Sequence, residues 1–227
     1  WVDTQKHHPD ETLRQKHRQA HGLTEDMLVI GNVGRLSKDR RAPMLTQAYA
    51  QFRRTFDRPS KLVIVGRGAE KEAVEQIIQQ ENLQDHVMLV DWTDDPASWH
   101  RCFDIEVNLT IKEAFGLSPV EAMACGGVLL AHAGGGVDEY VEHEVNGFRV
   151  DLPTPQSVAD WFHDIASRSD AQLQKIRIAA RETAVTRFSP EVALAHLLEK
   201  LGAPHAAELA RKVGLAPSST RETPSSR

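Results

Sequence analysis

Short apolar runs alternate with amphipathic segments through the middle of the chain. Runs of four to six residues rich in Val, Ile and Leu are too short for helices and predict buried strands. Between them, apolar positions recur every three or four residues, as on one face of a helix. The alternation predicts a doubly wound, Rossmann-like parallel sheet covered on both faces. The five predicted strands are residues 28–33, 62–65, 87–90, 105–109 and 128–131.

The pattern differs at both ends of the chain. Residues 1–27 are mostly polar, with one predicted helix at 11–21, and we interpret them as a lead-in segment. After Asp151 the spacing of Val158, Trp161, Phe162 and Ile165 predicts helices only. From Gly202 the apolar content falls and the end is rich in Ser, Thr and Pro, which is typical of disorder. The predicted organisation is therefore a lead-in at 1–27, an α/β domain with C-terminal helices at 28–201, and a disordered tail at 202–227.

Composition narrows the classes of function. The 227 residues are 41% hydrophobic and 26% charged with a net charge of −5, as in ordinary globular proteins. A mildly acidic chain lacks the basic footprint of nucleic-acid binding. The cysteines, Cys102 and Cys125, form no CxxC, which argues against a zinc ribbon and a disulfide scaffold. No apolar run reaches the roughly 20 residues of a membrane helix. The chain opens on Trp1 rather than Met and is interpreted as a fragment. The absence of a signal peptide from it is therefore weak evidence about the cellular location of the protein.

The strongest candidate for chemistry is the segment from Glu113 to Gly126, directly after a predicted strand. Doubly wound sheets bind ligands beyond the carboxyl ends of their strands. Gly116 allows the backbone to approach a ligand, and Pro119 suits the first turn of a helix predicted at 119–124. The backbone amides of Phe115, Gly116 and Leu117 would then face an anion at the positive end of that helix.

Two carboxylates flank this turn with seven residues between them. Glu113 lies in the loop and Glu121 about one turn into the helix, so both can border one pocket. A carboxylate accepts hydrogen bonds from paired sugar or ribose hydroxyls. The structural alternative makes Glu121 a solvated helix residue and Glu113 a partner of the helix dipole.

Two further strand-end loops contain candidates. The loop 34–41 holds four cations, and the guanidinium of an arginine suits phosphate. A solvated basic loop is the alternative. Trp92 and Thr93 follow the third strand and can frame a base, although Trp92 can equally be a packed aromatic. His132 also follows a strand, where a structural role is more common. The four cations are Arg35, Lys38, Arg40 and Arg41.

Several motifs in order resemble the retaining GT-B glycosyltransferases of family four, which carry Glu-x(7)-Glu. The resemblance runs from about Val2 to Leu201, through Val33–Leu36, Val65–Gly68, Glu113–Gly126, Gly135–Glu139, Asn146-Gly147 and Arg187–Ser189. Together and in this order the motifs are specific, although each alone is weak. The resemblance implies the C-terminal, nucleotide-sugar-binding half of a two-domain enzyme whose acceptor-binding half is missing from this chain.

The resemblance also implies residue roles. Glu113 would lie against the donor sugar as the catalytic residue, and Glu121 would hold the ribose hydroxyls. Arg35 and Arg40 would clasp the diphosphate, with Lys38 a competitor for the second position because Arg41 replaces the usual Gly. The remaining donor-binding positions are Trp92, Thr93, Ala114, where Gly is common, Phe115, Gly116 and Leu117.

The implied activity is transfer of a sugar from a nucleoside diphosphate to an acceptor hydroxyl, with no cofactor and no metal, since no Asp-x-Asp occurs. The acceptor would be a glycan, a lipid or a small molecule. We expect a cytoplasmic protein that can associate peripherally with a membrane. A sugar-nucleotide epimerase and a non-catalytic nucleotide-sugar-binding module are the alternatives. A dehydrogenase is disfavoured because the segment from Gly66 to Lys71 lacks the third Gly of its fingerprint.

Overall fold

The computed structural model describes residues 1–200, so Leu201 and the predicted tail at 202–227 lie outside the described residues. Six strands form a single sheet in which each neighbouring pair runs parallel. The predicted doubly wound, Rossmann-like α/β fold is confirmed. The strands are β1 (Leu28–Val33), β2 (Ser60–Val65), β3 (Val87–Val90), β4 (Ile105–Asn108), β5 (Val128–His132) and β6 (Phe148–Val150).

The strand order places a topological switch point between β1 and β4. Across the sheet the order is β3-β2-β1-β4-β5-β6, so the chain leaves β1 toward β2 and returns later on its other side. The loops that follow β1 and β4 therefore diverge to opposite faces and leave a crevice between them. In open α/β sheets this crevice is the usual ligand site.

Residues 1–200 contain eight α-helices. Side chains cap the start of several of them: Asp10 accepts a hydrogen bond from the Leu13 amide, and Thr154 and Ser169 form capping boxes. The helices are α1 (Glu11–Ala20), α2 (Ala42–Arg53), α3 (Lys71–Gln80), α4 (Pro96–Cys102), α5 (Leu117–Ala124), α6 (Pro155–Ser167), α7 (Asp170–Phe188) and α8 (Pro190–Lys200).

The core lies on both faces of the sheet because alternate strand residues point to opposite sides. In β1, Ile30 joins the cluster that α2 and α6 cover, whereas Val29 joins the cluster under α4. Phe52 of α2 meets Phe162 of α6 edge to face, with ring centroids 5.7 Å apart. These aromatic contacts fix the helices that follow the strands, and with them the loops at the carboxyl edge.

The lead-in segment is tied to the α/β unit by backbone contacts. The Val2 amide donates to the carbonyl of Phe188 at 2.8 Å. Arg181 of α7 donates to the carbonyls of Thr4 and His7 at 3.0 and 2.6 Å, and also to that of Ala124 at 2.7 Å. One guanidinium therefore joins the lead-in segment, α5 and α7, and it fixes His7 next to α5.

Candidate functional site

The loops after β1 and β4 meet at the switch point through hydrogen bonds. The hydroxyl of Ser118, near the start of α5, donates to the Val33 carbonyl at 2.8 Å, and the Ile111 amide donates to the Asp39 carbonyl at 2.9 Å. Glycine allows the loops after β1 and β2 to touch, since a Cβ on Gly66 would lie 1.8 Å from the Gly34 carbonyl oxygen. The basic loop 34–41 is therefore positioned by backbone packing on both sides.

Arg40 and Glu113 face each other across the crevice. Nη1 of Arg40 lies 3.7 Å from Oε2 of Glu113, and the side chains are 20% and 11% exposed. That Oε2 atom is buried and has no hydrogen-bond partner among the described residues. Lys38 and Arg35 are exposed and form no ion pair with a described residue. The structure thus brings Arg40, rather than Lys38, against Glu113.

The turn before α5 depends on Gly116. Its φ of +87° is left-handed, and a Cβ there would lie 2.8 Å from the Tyr140 hydroxyl. That hydroxyl donates to the Phe115 carbonyl at 2.8 Å. The helix begins at Leu117 rather than at the predicted Pro119, because the left-handed Gly116 forms its N-cap and the next residues are already helical.

The remaining predicted residues of this turn differ in exposure. Ala114 and Leu117 are exposed at the crevice, whereas the Phe115 ring packs on Tyr140 and Phe188. The side chains of Ala114 and Leu117 can touch a ligand, whereas Phe115 can contribute only backbone groups. The amides of residues 115–117 donate to no acceptor among the described residues. They are free to bind an anion.

Trp92 and Thr93 lie beyond β3, two strands away from β1. Trp92 is 58% exposed, so it is not a core aromatic, and the Arg67 guanidinium lies 6.0 Å from its ring centroid. The Thr93 hydroxyl accepts from the Asp95 amide at 3.0 Å. Nδ1 of His132 lies 3.0 Å from the Thr110 carbonyl.

Arg41 stands at the position where the resembled family has glycine. Its φ and ψ are 57° and 33°, in the left-handed region that glycine occupies without cost. The loop therefore keeps the glycine conformation although a larger residue is present.

Glu121 lies in a cluster that sequence spacing does not show. Its carboxylate is 23% exposed, so it is not the fully solvated helix residue of the structural alternative. Oε2 lies 3.4 Å from Nε2 of His100, and Oε1 lies 3.8 Å from Nε2 of His7. Nδ1 of His100 is hydrogen bonded to Oε2 of the buried Glu106 at 2.7 Å.

The protonation of this cluster follows from its charges. Burial lowers the pKa of His100, but the carboxylates of Glu106 and Glu121 outweigh that effect and raise it to about 9. Burial lowers the pKa of His7, which is therefore neutral near pH 7. Burial also acts to raise the pKa of Glu121, but the His100 contact dominates and holds it below its ordinary value.

Among residues 1–200, one group has the residue types and proximity of a metal site. The ligand atoms of His7, His100 and Glu121 lie within 4.8 Å of one another. A metal ion needs neutral imidazoles. The carboxylates of Glu106 and Glu121 raise the pKa of His100, which favours a protonated ring over a metal ligand at this position.

The crevice between the two loops lies at the switch point of the sheet. Two cavities, of about 570 and 1050 Å³, lie elsewhere: one between the loop 138–149 and α7, the other between α1, α4 and α7. Neither is lined by Arg40 or Glu113.

The model of one protein family, glycosyl transferases group 1, matches residues 14–183. The chain belongs to the glycosyl transferases group 1 family. The match includes both loops at the switch point and the cluster around Glu121, except for His7.

Curated relatives of this chain are a little over a quarter identical to it across the aligned residues. N-acetyl-alpha-D-glucosaminyl L-malate synthase of Bacillus anthracis is 27% identical over 175 residues, which are 77% of this chain and 45% of that protein. Lipopolysaccharide 1,2-N-acetylglucosaminetransferase of Salmonella typhimurium is 28% identical over 201 residues, 84% of this chain and 51% of that protein. The chain spans about half the length of these relatives.

Solved structures have the same fold. Anabaena HepE in complex with UDP and glucose superposes with a TM-score of 0.80 and 25% identity, covering 89% of this chain and 55% of that one. The C-terminal domain of a glycosyl transferase group 1 family protein, LpcC of Francisella tularensis, gives a TM-score of 0.74 and 26% identity, covering 84% of this chain and 100% of that one.

Within residues 1–200, no helix combines the length and the apolar character required to cross a membrane.

Proposed function

We propose that this chain is the donor-binding, C-terminal half of a retaining glycosyltransferase that uses a nucleoside-diphosphate sugar. The observation that carries the proposal is the pairing of Arg40 with Glu113 beside the N-terminus of α5, at the switch point of the sheet. Family membership and the HepE complex with UDP and glucose support it. The LpcC domain, matched over its whole length, supports the assignment to the C-terminal half.

The proposed roles follow from charge and position. The diphosphate binds between Arg40, Arg35 and the free amides of residues 115–117, which neutralise the charge that grows on the leaving group. Glu113 lies toward the sugar and stabilises positive charge at its anomeric carbon. Glu121 accepts hydrogen bonds from the ribose, and Trp92 borders the base.

In the proposed reaction, the bond between the anomeric carbon and the diphosphate oxygen breaks, and its electron pair leaves with the diphosphate. The acceptor hydroxyl attacks the same face of the sugar, and its proton passes to the leaving phosphate oxygen. The acceptor would be held by the other half of the enzyme.

Titration calorimetry of the chain with UDP, GDP and ADP tests the donor role. We expect one of the three to bind with 1:1 stoichiometry and Glu121→Ala to weaken it about ten- to a hundredfold, as for loss of a charged hydrogen-bond partner. The matched control is Glu72→Ala, an exposed glutamate on α3. Binding of none of the three nucleotides would contradict the proposal, as would robust transfer to an acceptor by residues 1–227 alone.

A further inference from the structure

A buried histidine and a buried carboxylate lie directly behind Glu121. The side chains of His100 and Glu106 are 0% and 3% exposed, and they come from α4 and β4. Neither reaches the crevice, and the proposed chemistry does not use them. Burying an ion pair contributes little net stability, since desolvation offsets the attraction. The pair therefore calls for an explanation other than stability.

The geometry of the pair fixes the direction of one ring nitrogen. Glu106 binds Nδ1 of His100 at 2.7 Å, which orients the imidazole, and the opposite nitrogen Nε2 then lies 3.4 Å from Oε2 of Glu121. This second contact is an ion pair rather than a hydrogen bond, because Nε2 has no hydrogen-bond partner among the described residues. A ring held by Glu106 therefore keeps its charge directly behind the Glu121 carboxylate. His100 has no freedom to turn away without leaving Glu106 unpaired in the core.

The other oxygen of Glu121 meets a neutral group. Oε1 lies 3.8 Å from Nε2 of His7, whose own Nδ1 contacts the Asp3 carbonyl at 3.1 Å. A carboxylate oxygen has two lone pairs. Glu121 can therefore be held from behind by His100 and still accept two hydroxyl groups through its exposed side.

We propose that His100, oriented by Glu106, is a positioning residue that holds the Glu121 carboxylate in the direction required by the two ribose hydroxyls of the donor. The inference rests on the proposed function, because it assigns Glu121 to the ribose. His100 acts through Glu121 and touches no part of the donor itself.

The test compares two ligands that differ only at the ribose. The nucleotide used is whichever of UDP, GDP and ADP the wild type binds, written below as UDP, and its 2′,3′-dideoxy form is the comparison. UDP has both hydroxyls and 2′,3′-dideoxy-UDP has neither, so only UDP depends on the direction of Glu121. The double variant His100→Phe/Glu106→Leu removes both buried charges together, which avoids leaving one of them unpaired. We expect UDP to bind about five- to tenfold more weakly to this variant, whereas 2′,3′-dideoxy-UDP binds with unchanged affinity.

Three further arms complete the design. In a Glu121→Ala background the double variant should cause no additional loss, because His100 then has nothing to position. His17→Phe is the matched control. His17 lies on α1 and packs on Trp99, which belongs to the same helix as His100, but it makes no contact with Glu121. If the double variant does not fold, Glu106→Gln keeps the shape and removes one charge.

In Glu106→Gln, His100 loses its proton at a lower pH than in the wild type. The titratable groups that face it are then Glu121 from α5 and His7 from the lead-in segment. UDP affinity in this variant should therefore fall several-fold between pH 6.5 and 8.5, while 2′,3′-dideoxy-UDP affinity does not.

The outcomes separate the two proposals. Equal weakening of both ligands would show a general structural defect, and no weakening of UDP would show that His100 is dispensable; either result overturns the positioning role. Stoichiometric binding of Zn²⁺ alone that blocks UDP would also overturn it, because the cluster would then be a metal site. Failure of the wild type to bind any of UDP, GDP and ADP would instead overturn the proposed function.

Discussion

Removing Arg40 should weaken binding of a nucleoside diphosphate much more than removing Lys38. Arg40 is half-buried and its Nη1 lies 3.7 Å from Glu113, so its charge is directed into the crevice. Two unit charges about 4 Å apart near a protein surface attract by about 4 kcal/mol, which sets an upper limit. Loss of one charge-assisted hydrogen bond costs about 1.5–3 kcal/mol. For Arg40→Ala we therefore expect UDP affinity to fall about 10- to 150-fold.

The comparison with Lys38→Ala and with UMP makes this prediction specific. Lys38 is exposed and lies outside the ion pair, so its removal should change UDP affinity by no more than about threefold. UMP lacks the second phosphate and should respond less than UDP to Arg40→Ala. Calorimetric titration of both nucleotides at one fixed salt concentration measures these differences. A larger loss for Lys38→Ala, or equal losses for UMP and UDP with Arg40→Ala, would refute the assignment of Arg40 to the diphosphate.

Three other changes have distinct expected results. Glu113→Gln keeps the shape of the side chain, so it should leave UDP affinity unchanged and lower turnover of the full-length enzyme; loss of UDP binding would instead place Glu113 on the nucleotide. Arg41→Gly relieves a left-handed conformation and should raise the free energy of unfolding by about 1 kcal/mol in urea titrations, and a lower value would contradict that strain. The raised pKa of His100 adds stability that is complete below about pH 6.5 and is lost as the pH rises toward about 9. Urea midpoints should therefore fall over this range in the wild type and stay flatter in His100→Phe/Glu106→Leu; parallel profiles would exclude His100 as the cause.

The sheet was predictable because its strands are buried on both faces. The predicted runs are rich enough in Val, Ile and Leu to stand out from the helices. All five are present, two with the predicted bounds and three with one end shifted by one or two residues. β6 escaped prediction because its three residues include Arg149, which interrupts the apolar pattern. A strand this short is defined by its hydrogen bonds to β5, which the sequence does not display.

The candidate site was predictable only where its residues lie in one local segment. The Glu113–Gly126 segment contains its own turn, helix start and two carboxylates, so turn and helix preferences read from the sequence are enough to identify it as a candidate. Arg40 could not be separated from Lys38, because the choice depends on which side chain faces Glu113 across the crevice. The contacts of His7 and His100 with Glu121 join residues far apart in the chain, and no spacing rule connects them. Only the polar Glu106 within an apolar strand gave a signal that a buried partner is required.

The contacts of Arg181 have a consequence for how the start of the chain responds to proteases and to hydrogen exchange. Terminal segments are usually the first to be cleaved and to exchange, unless other parts of the fold tie them down. Here the carbonyls of Thr4 and His7 accept from a guanidinium that also binds α5. The Val2 and His7 amides donate to the carbonyls of Phe188 and Asp3. Their hydrogen exchange should therefore be slow, as it is for the amides of α7. A cut within residues 2–8 would expose a half-buried arginine on α7 and release the histidine that lies beside Glu121.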